Sequence, residues 1–453
     1  MTKITHLKGC EVLDSRGIPA LEIELSTDNG IVSRTIVPNG DVKTHQNMVE
    51  IRDSDNDRFL GQGIMRAVGH IANELSEVVV GMDVIDQEGI DKALLEADGT
   101  VNLNRYGLNT IYGVSVAVCK AAALSLNVET CEYVAGNKPM IIPVPAVSMI
   151  SGGIYNESSL KHGFDFKDLS IVPLGAESYR EALMWSSEIY QGLGTLLKKY
   201  KLYRGTSPTG GYLVNFDRDG KEEVGNGLAF DLLTAATELV GLRMDDDVKF
   251  VCDCDGDYLY NRKKDCYTLN NLVDGKSDLS VKYLMNYYNK LRKNYPVVAF
   301  NNLFNNEDFE SLNFFFSKMP ETFEVIADDI FASNINLIKE HIVNEKLTGR
   351  KSIVNAVAIK PSLLGTVTHV RELVEYLQSC QVAVYLSCRT GETNDDFLAD
   401  LTVGNNCFKM INGAPAHGEN LIKYNRLLRL EDILRGEAVF VGLKAFAGCE
   451  EVF

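Results

Sequence analysis

No stretch of this 453-residue chain reaches the length of a membrane span, and Met1 to Asp14 holds no apolar run long enough for a signal peptide. A reducing, cytoplasmic setting is the expectation that follows. Basic charge is also short. Lys and Arg number 45 against 62 Asp and Glu, a net charge of -17. That balance disfavours phosphate backbones and anionic membranes, so neither nucleic acid nor membrane is expected as a partner. The ten cysteines are scattered along the chain, which predicts free thiols and no disulfide framework. Asp253-Cys254-Asp255-Gly256-Asp257 looks like a calcium loop but lacks its requirements. The sixth place needs Gly and holds Tyr258, and the twelfth needs Glu and holds Lys264. Cys252, Cys254 and Cys266 have no matching second pair for zinc, so buried free thiols are expected there.

What is present suits a large folded protein. With 45% hydrophobic residues the chain can bury one large core, or one large and one smaller. Ala20 to Leu25 alternates apolar with acidic residues, and Gly30 to Val37 follows the turn signal Asp28-Asn29-Gly30, which predicts an antiparallel hairpin. Gly113 to Ala135 is apolar-rich, free of Pro and predicted helical. A small α+β domain over 1–139 results. From 140 to 453 short β-branched runs alternate with helical segments such as Leu232 to Val240. The runs are Val144–Met149, Leu169–Val172, Val248–Cys252, Val297–Phe300, Glu324–Ala327, Ala356–Ile359, Ala383–Leu386 and Cys407–Ile411. Eight candidate strands suit an eight-stranded α/β barrel, whose chemistry sits just beyond the C-terminal strand ends.

Several motifs in order carry a resemblance. They include Asp14-Ser15-Arg16-Gly17, Asp98-Gly99-Thr100, Gly152-Gly153, Ala327-Asp328-Asp329, Ser387-Cys388-Arg389-Thr390-Gly391-Glu392-Thr393, Gly413-Ala414-Pro415 and Lys423-Tyr424-Asn425. From Leu7 to about Phe440 the chain resembles enolase (phosphopyruvate hydratase). The resemblance implies an N-terminal α+β domain, a TIM-like barrel and the dehydration of 2-phosphoglycerate. It also implies a Lys base, a magnesium held by three carboxylates, a second metal contacted by a mobile serine loop, and glutamates that assist departure of hydroxide.

The chain departs from that pattern at one functional position after another. Lys360 keeps the base position. The metal ligands would fall at Asp253, Asn301 and Asp328, with Asn301 in place of a glutamate, so magnesium binding is expected to be weak or absent. Asp253 and Asp328 can equally serve as hydrogen-bonded groups at strand ends. The second lysine becomes Ile411, which cannot pair with a substrate carboxylate. Thr209 stands where a glutamate handles the leaving hydroxyl, and Asp168 replaces another glutamate with a shorter arm. Cys388 and Tyr155 replace two histidines. The serine that meets the second metal becomes Val42, leaving Pro38-Asn39-Gly40 to read as a solvated turn. Arg389, beside Thr390, can grip a phosphate through paired N–H donors or close an internal salt bridge.

The reading that follows is an enolase-like pseudoenzyme with a structural or binding role. The alternatives are an atypical active phosphopyruvate hydratase, or a lyase or isomerase that turns over another small acid through Lys360. Enolase-like proteins without activity serve in large assemblies such as cilia or flagella, so an unidentified protein partner and a cytoskeletal or ciliary association accompany the reading. The resemblance further implies a homodimer joined by an ion pair whose counterparts are Glu22 and Arg429. Sedimentation equilibrium at micromolar concentration is therefore expected to give twice the chain mass. Glu22→Arg should weaken association and Arg429→Glu should partly restore it; a wild-type monomer would refute the pairing.

Overall fold

The computed structural model of the chain describes residues 1–40, 48–156, 162–216, 225–272 and 278–446. The first sheet is antiparallel, with β1 (Ile4–Leu13) on β2 (Pro19–Thr27) and β2 on β3 (Val32–Ile36). Gly30 supplies the left-handed φ of +85° that the hairpin turn requires. Leu21, Ile23 and Leu25 of β2 are buried while Glu22 and Glu24 lie half-buried on the other face, as the alternation predicted. Helices that cover this sheet or flank it include α1 (Gln87–Asp98), α2 (Leu108–Leu126) and α3 (Thr130–Ala135), and the helical segment from Met65 to Val79 packs on β1. α2 crosses the sheet closely at Gly113, where a Cβ would collide with the side chains of Ile23 and Val37.

Two expectations are corrected here. The helical run Gly113 to Ala135 is two helices. Asn127 adopts a left-handed cap, and Glu129 then opens α3 through a capping box with Glu132. The expectation that no stretch reaches membrane-span length also fails for α2, which has 19 residues and sufficient hydropathy. Its most apolar window is 83% buried within the fold, so α2 is the core helix of this domain.

The barrel begins with a reversal. β4 (Val144–Ser151) pairs antiparallel with β5 (Asp168–Val172), and two helices follow, α4 (Tyr179–Lys199) and α5 (Gly227–Leu239). Strands and helices then alternate as β6 (Lys249–Asp253), α6 (Val281–Asn294), β7 (Val297–Asn301), α7 (Phe309–Phe316), β8 (Glu324–Ala327) and α8 (Ile335–His341). The series ends with β9 (Ala356–Ile359), α9 (Val367–Ser379), β10 (Ala383–Ser387), α10 (Phe397–Gly404), β11 (Lys409–Ile411) and α11 (Gly418–Ile433). β6 is antiparallel to β5, the later neighbours run parallel, and β11 pairs with β4 to close eight strands. All eight predicted strands are present, within two residues at each end.

Side-chain parity organises the interior. Ala146, Val172, Val251, Ala299, Ile326, Ala358 and Tyr385 belong to one apolar cluster, which fills the lumen. Their neighbours Val147, Ile171, Cys252, Phe300, Val325, Val357 and Leu386 belong to the other, beneath the helices. The residue two places beyond the last lumenal apolar residue of a strand therefore points to the barrel mouth.

The lumen floor carries charge. Lys409 is paired with Glu324, both buried, and the Tyr385 hydroxyl donates to the other oxygen of Glu324 at 2.5 Å. The Lys409 ammonium also lies 4.1 Å from the centroid of the Phe446 ring. Lys409→Met would leave the Glu324 carboxylate buried without its partner and should cost about 3–5 kcal/mol of stability in urea unfolding. Adding Glu324→Gln to that variant should recover much of the loss, because the stranded charge is then removed.

Candidate functional site

The mouth is built by the parity rule. Two places beyond Ala146, Val251, Ala299, Ile326, Ala358 and Tyr385 stand Ser148, Asp253, Asn301, Asp328, Lys360 and Ser387. β5 runs the other way, so its first residue, Asp168, meets the last residues of its neighbours, pairing with Ser151 and Asp253. Reversal of one strand thus brings a residue from an N-terminal strand end to the same mouth.

Lys360 sits between two carboxylates. Its ammonium is 2.7 Å from an oxygen of Asp328 and 2.7 Å from an oxygen of Asp329. Burial raises the Asp328 carboxyl to about 6 against the pull of Lys360. For Asp329 burial acts in the same direction, but Lys360 and Lys167 outweigh it and hold the carboxyl well below its ordinary value. Burial disfavours the Lys360 ammonium, yet the two aspartates outweigh that and keep it protonated.

The three expected metal ligands converge, but with donors facing acceptors. Asn301 Nδ2 donates to Asp253 Oδ2 at 3.3 Å, and Asn302 Nδ2 donates to Asp253 Oδ1 at 3.2 Å. The backbone N–H of Asp255 also reaches Asp253 Oδ1 at 3.2 Å. Lys167 lies 3.8 Å from Asp253 Oδ2, and Lys360 holds Asp328. Among these three residues Asn301 Oδ1 and Asp328 Oδ1 are buried acceptors with no hydrogen-bond partner, and Asp328 Oδ1 faces the Lys360 ammonium at 2.7 Å. Magnesium needs several oxygen lone pairs aimed at one point. Here the carboxylates are engaged by N–H groups, and among the described residues no set of three or more His, Cys, Asp or Glu side chains is placed to hold a metal. This arrangement does not fit the family's magnesium centre.

The side of the mouth where a leaving group would be protonated is a chain of hydroxyls. Thr209 Oγ1 lies 2.8 Å from Ser207 Oγ, which donates to Ser151 Oγ at 2.9 Å. Ser151 and Ser148 both donate to Asp168 Oδ1 at 2.5 Å. Ile411 is half-buried and packs on the lumenal apolar cluster, extending it to the rim. Cys388 is likewise half-buried. Burial, with a contribution from Glu392, raises its thiol to about 12, far from a thiolate nucleophile.

Of the two alternatives for Arg389, the internal ion pair is the one present. Its guanidinium donates to Ser362 Oγ at 2.9 Å and lies 3.5 Å from a Glu50 carboxylate oxygen, while its backbone N–H donates to Glu392 at 2.7 Å. Thr390 beside it is half-buried. The turn at Asn39 is not solvated, contrary to expectation. Asn39 is 2% exposed, and its backbone exchanges two hydrogen bonds with Gly391, at 2.8 and 3.0 Å. Gly40 comes so close that a Cβ there would collide with the Arg389 guanidinium. Val42 lies outside the described residues. Glu22 is half-buried on the first sheet and Arg429 is exposed on α11.

The two domains meet beside this site. Asp395 of the barrel accepts hydrogen bonds from the Thr35 hydroxyl, the Ile36 backbone and both approaches of the Lys120 ammonium at 2.8 Å. Sequence reasoning missed this latch, and it also passed over Lys167, Asp255, Asn302, Asp329, Ser148, Ser151 and Lys423 as site residues. For Ser148 the lumenal parity of β4 was a usable signal. For Lys167 nothing short of the antiparallel placement of β5 gave one.

A closed barrel with titratable groups at one mouth, capped by an α+β domain, defines a two-domain α/β-barrel protein of the kind that keeps its chemistry beyond the strand ends. The family described as "Enolase, C-terminal TIM barrel domain" matches residues 139–448, and "Enolase, N-terminal domain" matches 4–134. A protein named Enolase from Rubrobacter xylanophilus is 35% identical over 446 residues, covering 98% of each chain. Another from Corynebacterium kroppenstedtii is 32% identical over 446 residues, covering 98% of this chain and 99% of its own. The chain belongs to the enolase family.

Asp168 gives the site a testable pH response. Burial raises its carboxyl from 3.8 to about 6, the hydroxyls of Ser148 and Ser151 pull against that, and Asp253 adds to the rise. A carboxyl raised on folding contributes stability below its unfolded pKa and loses it as pH climbs through the folded value. Wild type should therefore lose stability relative to Asp168→Asn between about pH 4 and about pH 7.5 in urea unfolding. A stability difference that stays constant with pH would contradict the shift.

Proposed function

We propose that this enolase-family protein does not dehydrate 2-phosphoglycerate by the family's route and acts as a binding or structural component, assembled as a homodimer. The observation that carries the reading is the hydroxyl chain from Thr209 through Ser207 and Ser151 to Asp168. A threonine hydroxyl has no useful acidity near neutral pH, so the position lacks the group that would protonate departing hydroxide. Ile411 offers no cation to a substrate carboxylate, and Cys388 offers no proton-transfer group in the working range. Magnesium binding is weak or absent in this reading, because N–H groups and ammonium groups hold the carboxylates that would take it. Arg389, already engaged with Ser362 and Glu50, leaves a phosphorylated ligand as the class of small molecule the mouth would hold.

The names of the relatives favour a second reading, an atypical but active phosphopyruvate hydratase. Lys360 and the aspartates beside it support that alternative.

A coupled assay with 2-phosphoglycerate and excess magnesium separates the two. No turnover above a buffer control is expected. Thr209→Glu, Asn301→Glu or Ile411→Lys alone should not restore it, because groups that act as a unit are non-additive. Turnover within about a hundredfold of a common enzyme rate of ~10 s⁻¹ would establish the second reading and discard the first.

A further inference from the structure

The mouth concentrates acidic side chains. Asp168, Asp253, Asp255, Asp328 and Asp329 come from the mouth ends of β5, β6 and β8 and the turns beyond them, with Asn301 of β7 between, and all lie at the same rim. Two ammonium groups enter this ring. Lys360 takes the side formed by Asp328 and Asp329, at 2.7 Å from each. Lys167 enters from β5 and stands between the other pair, 3.8 Å from Asp253 Oδ2 and 3.9 Å from Asp329 Oδ2. Asn302 Nδ2 spans the same two aspartates, at 3.2 Å from Asp253 and 3.3 Å from Asp329.

The position of Lys167 is fixed by backbone. Its N–H donates to the Asp253 carbonyl at 3.0 Å, and its own carbonyl accepts from Gly152 N–H at 3.0 Å. The chain is thereby held on both sides, against β6 and against the turn after β4, and the stem starts at the rim. An ammonium presented this way is a monovalent cation that cannot diffuse away. Its attraction to two carboxylates in a recessed site needs no ion from solution.

We propose that Lys167 is a tethered counter-ion. Its ammonium, with the amide N–H groups of Asn301 and Asn302, neutralises and engages Asp253 and Asp329, and this closes the mouth to magnesium. The inference extends the misfit of the metal ligands described above and does not depend on whether the chain turns over 2-phosphoglycerate. Binding of magnesium without turnover would defeat the inference alone, and turnover without magnesium binding would defeat the proposed function alone.

The consequence is reciprocal. Removing the tethered charge and returning a carboxylate at Asn301 should reopen the ring to a divalent cation. The full chain, dialysed against EDTA, is titrated with magnesium chloride by calorimetry, and its thermal unfolding is followed in EDTA and in magnesium. Wild type should give no binding heat up to about 10 mM magnesium and the same Tm in both buffers. Lys167→Arg keeps the charge and should behave as wild type. Lys167→Gln combined with Asn301→Glu should bind magnesium at least about tenfold more tightly than wild type and gain Tm only in its presence. Magnesium binding by wild type at or below about 1 mM overturns the proposal. So does tight magnesium binding by Lys167→Arg, or a double variant that ignores magnesium, whether it is folded or unfolded without it.

Discussion

Aspartates gathered at the rim of a closed barrel repel one another and lose hydration, so something positive must stand among them. That requirement shapes the whole mouth. Lys360 and Lys167 each stand between two carboxylates, and the paired amides of Asn301 and Asn302 fill directions the ammonium groups leave open. At Asp168, beside Asp253 on the adjoining strand, the opposite solution is used: hydroxyls of Ser148 and Ser151 converge on the carboxyl, which is raised to about 6 by burial. Part of the rim is held by fixed charge and part by neutral donors.

The N-terminal domain completes this arrangement from above. The Asn39 backbone pairs with Gly391, Gly40 crowds Arg389, and Asp395 is tied to Thr35, Ile36 and Lys120. An arginine so placed is already hydrogen-bonded, and any anion that reaches it must compete with Glu50 for the guanidinium. Thr209, Ile411 and Cys388 sit in a scaffold that is well packed around them. The residues that stand at a mouth and the frame that presents them can vary independently, because function resides in the site and stability in the layers beneath it.

Much of this frame was legible in the chain. Short apolar runs such as Ala356–Ile359 and Val297–Phe300 coincide with strands because strands buried on both faces are largely apolar. Motif order placed Asp253, Asn301, Asp328 and Lys360 together, and the geometry brings them to one rim. Failures occurred where local pattern and tertiary context part company. Nothing in the apolar run after Gly113 announces that Asn127 will turn left-handed, and Asn39-Gly40 reads as an exposed turn until the barrel segment at Gly391 lies against it. Lys167 has no periodic signature at all. Its role follows from the direction of a strand, which is a property of topology.

The closure of the barrel has a consequence for the order of synthesis. β4 is made early, yet its parallel partner β11 lies near the far end of the chain, at Lys409–Ile411. Until the ribosome has supplied Lys409–Ile411, the edge of β4 that will meet β11 has no native neighbour. The strand is buried along its whole length in the finished fold, and the residues that meet β11, Val144 to Ala146, are apolar, so this edge is poorly suited to standing open. A nascent chain in this state presents a template for mispairing with other strands, so its safe passage depends on shielding by helices already formed or by chaperones. β11 thus acts as the fastener of a barrel whose earlier strands have long been translated.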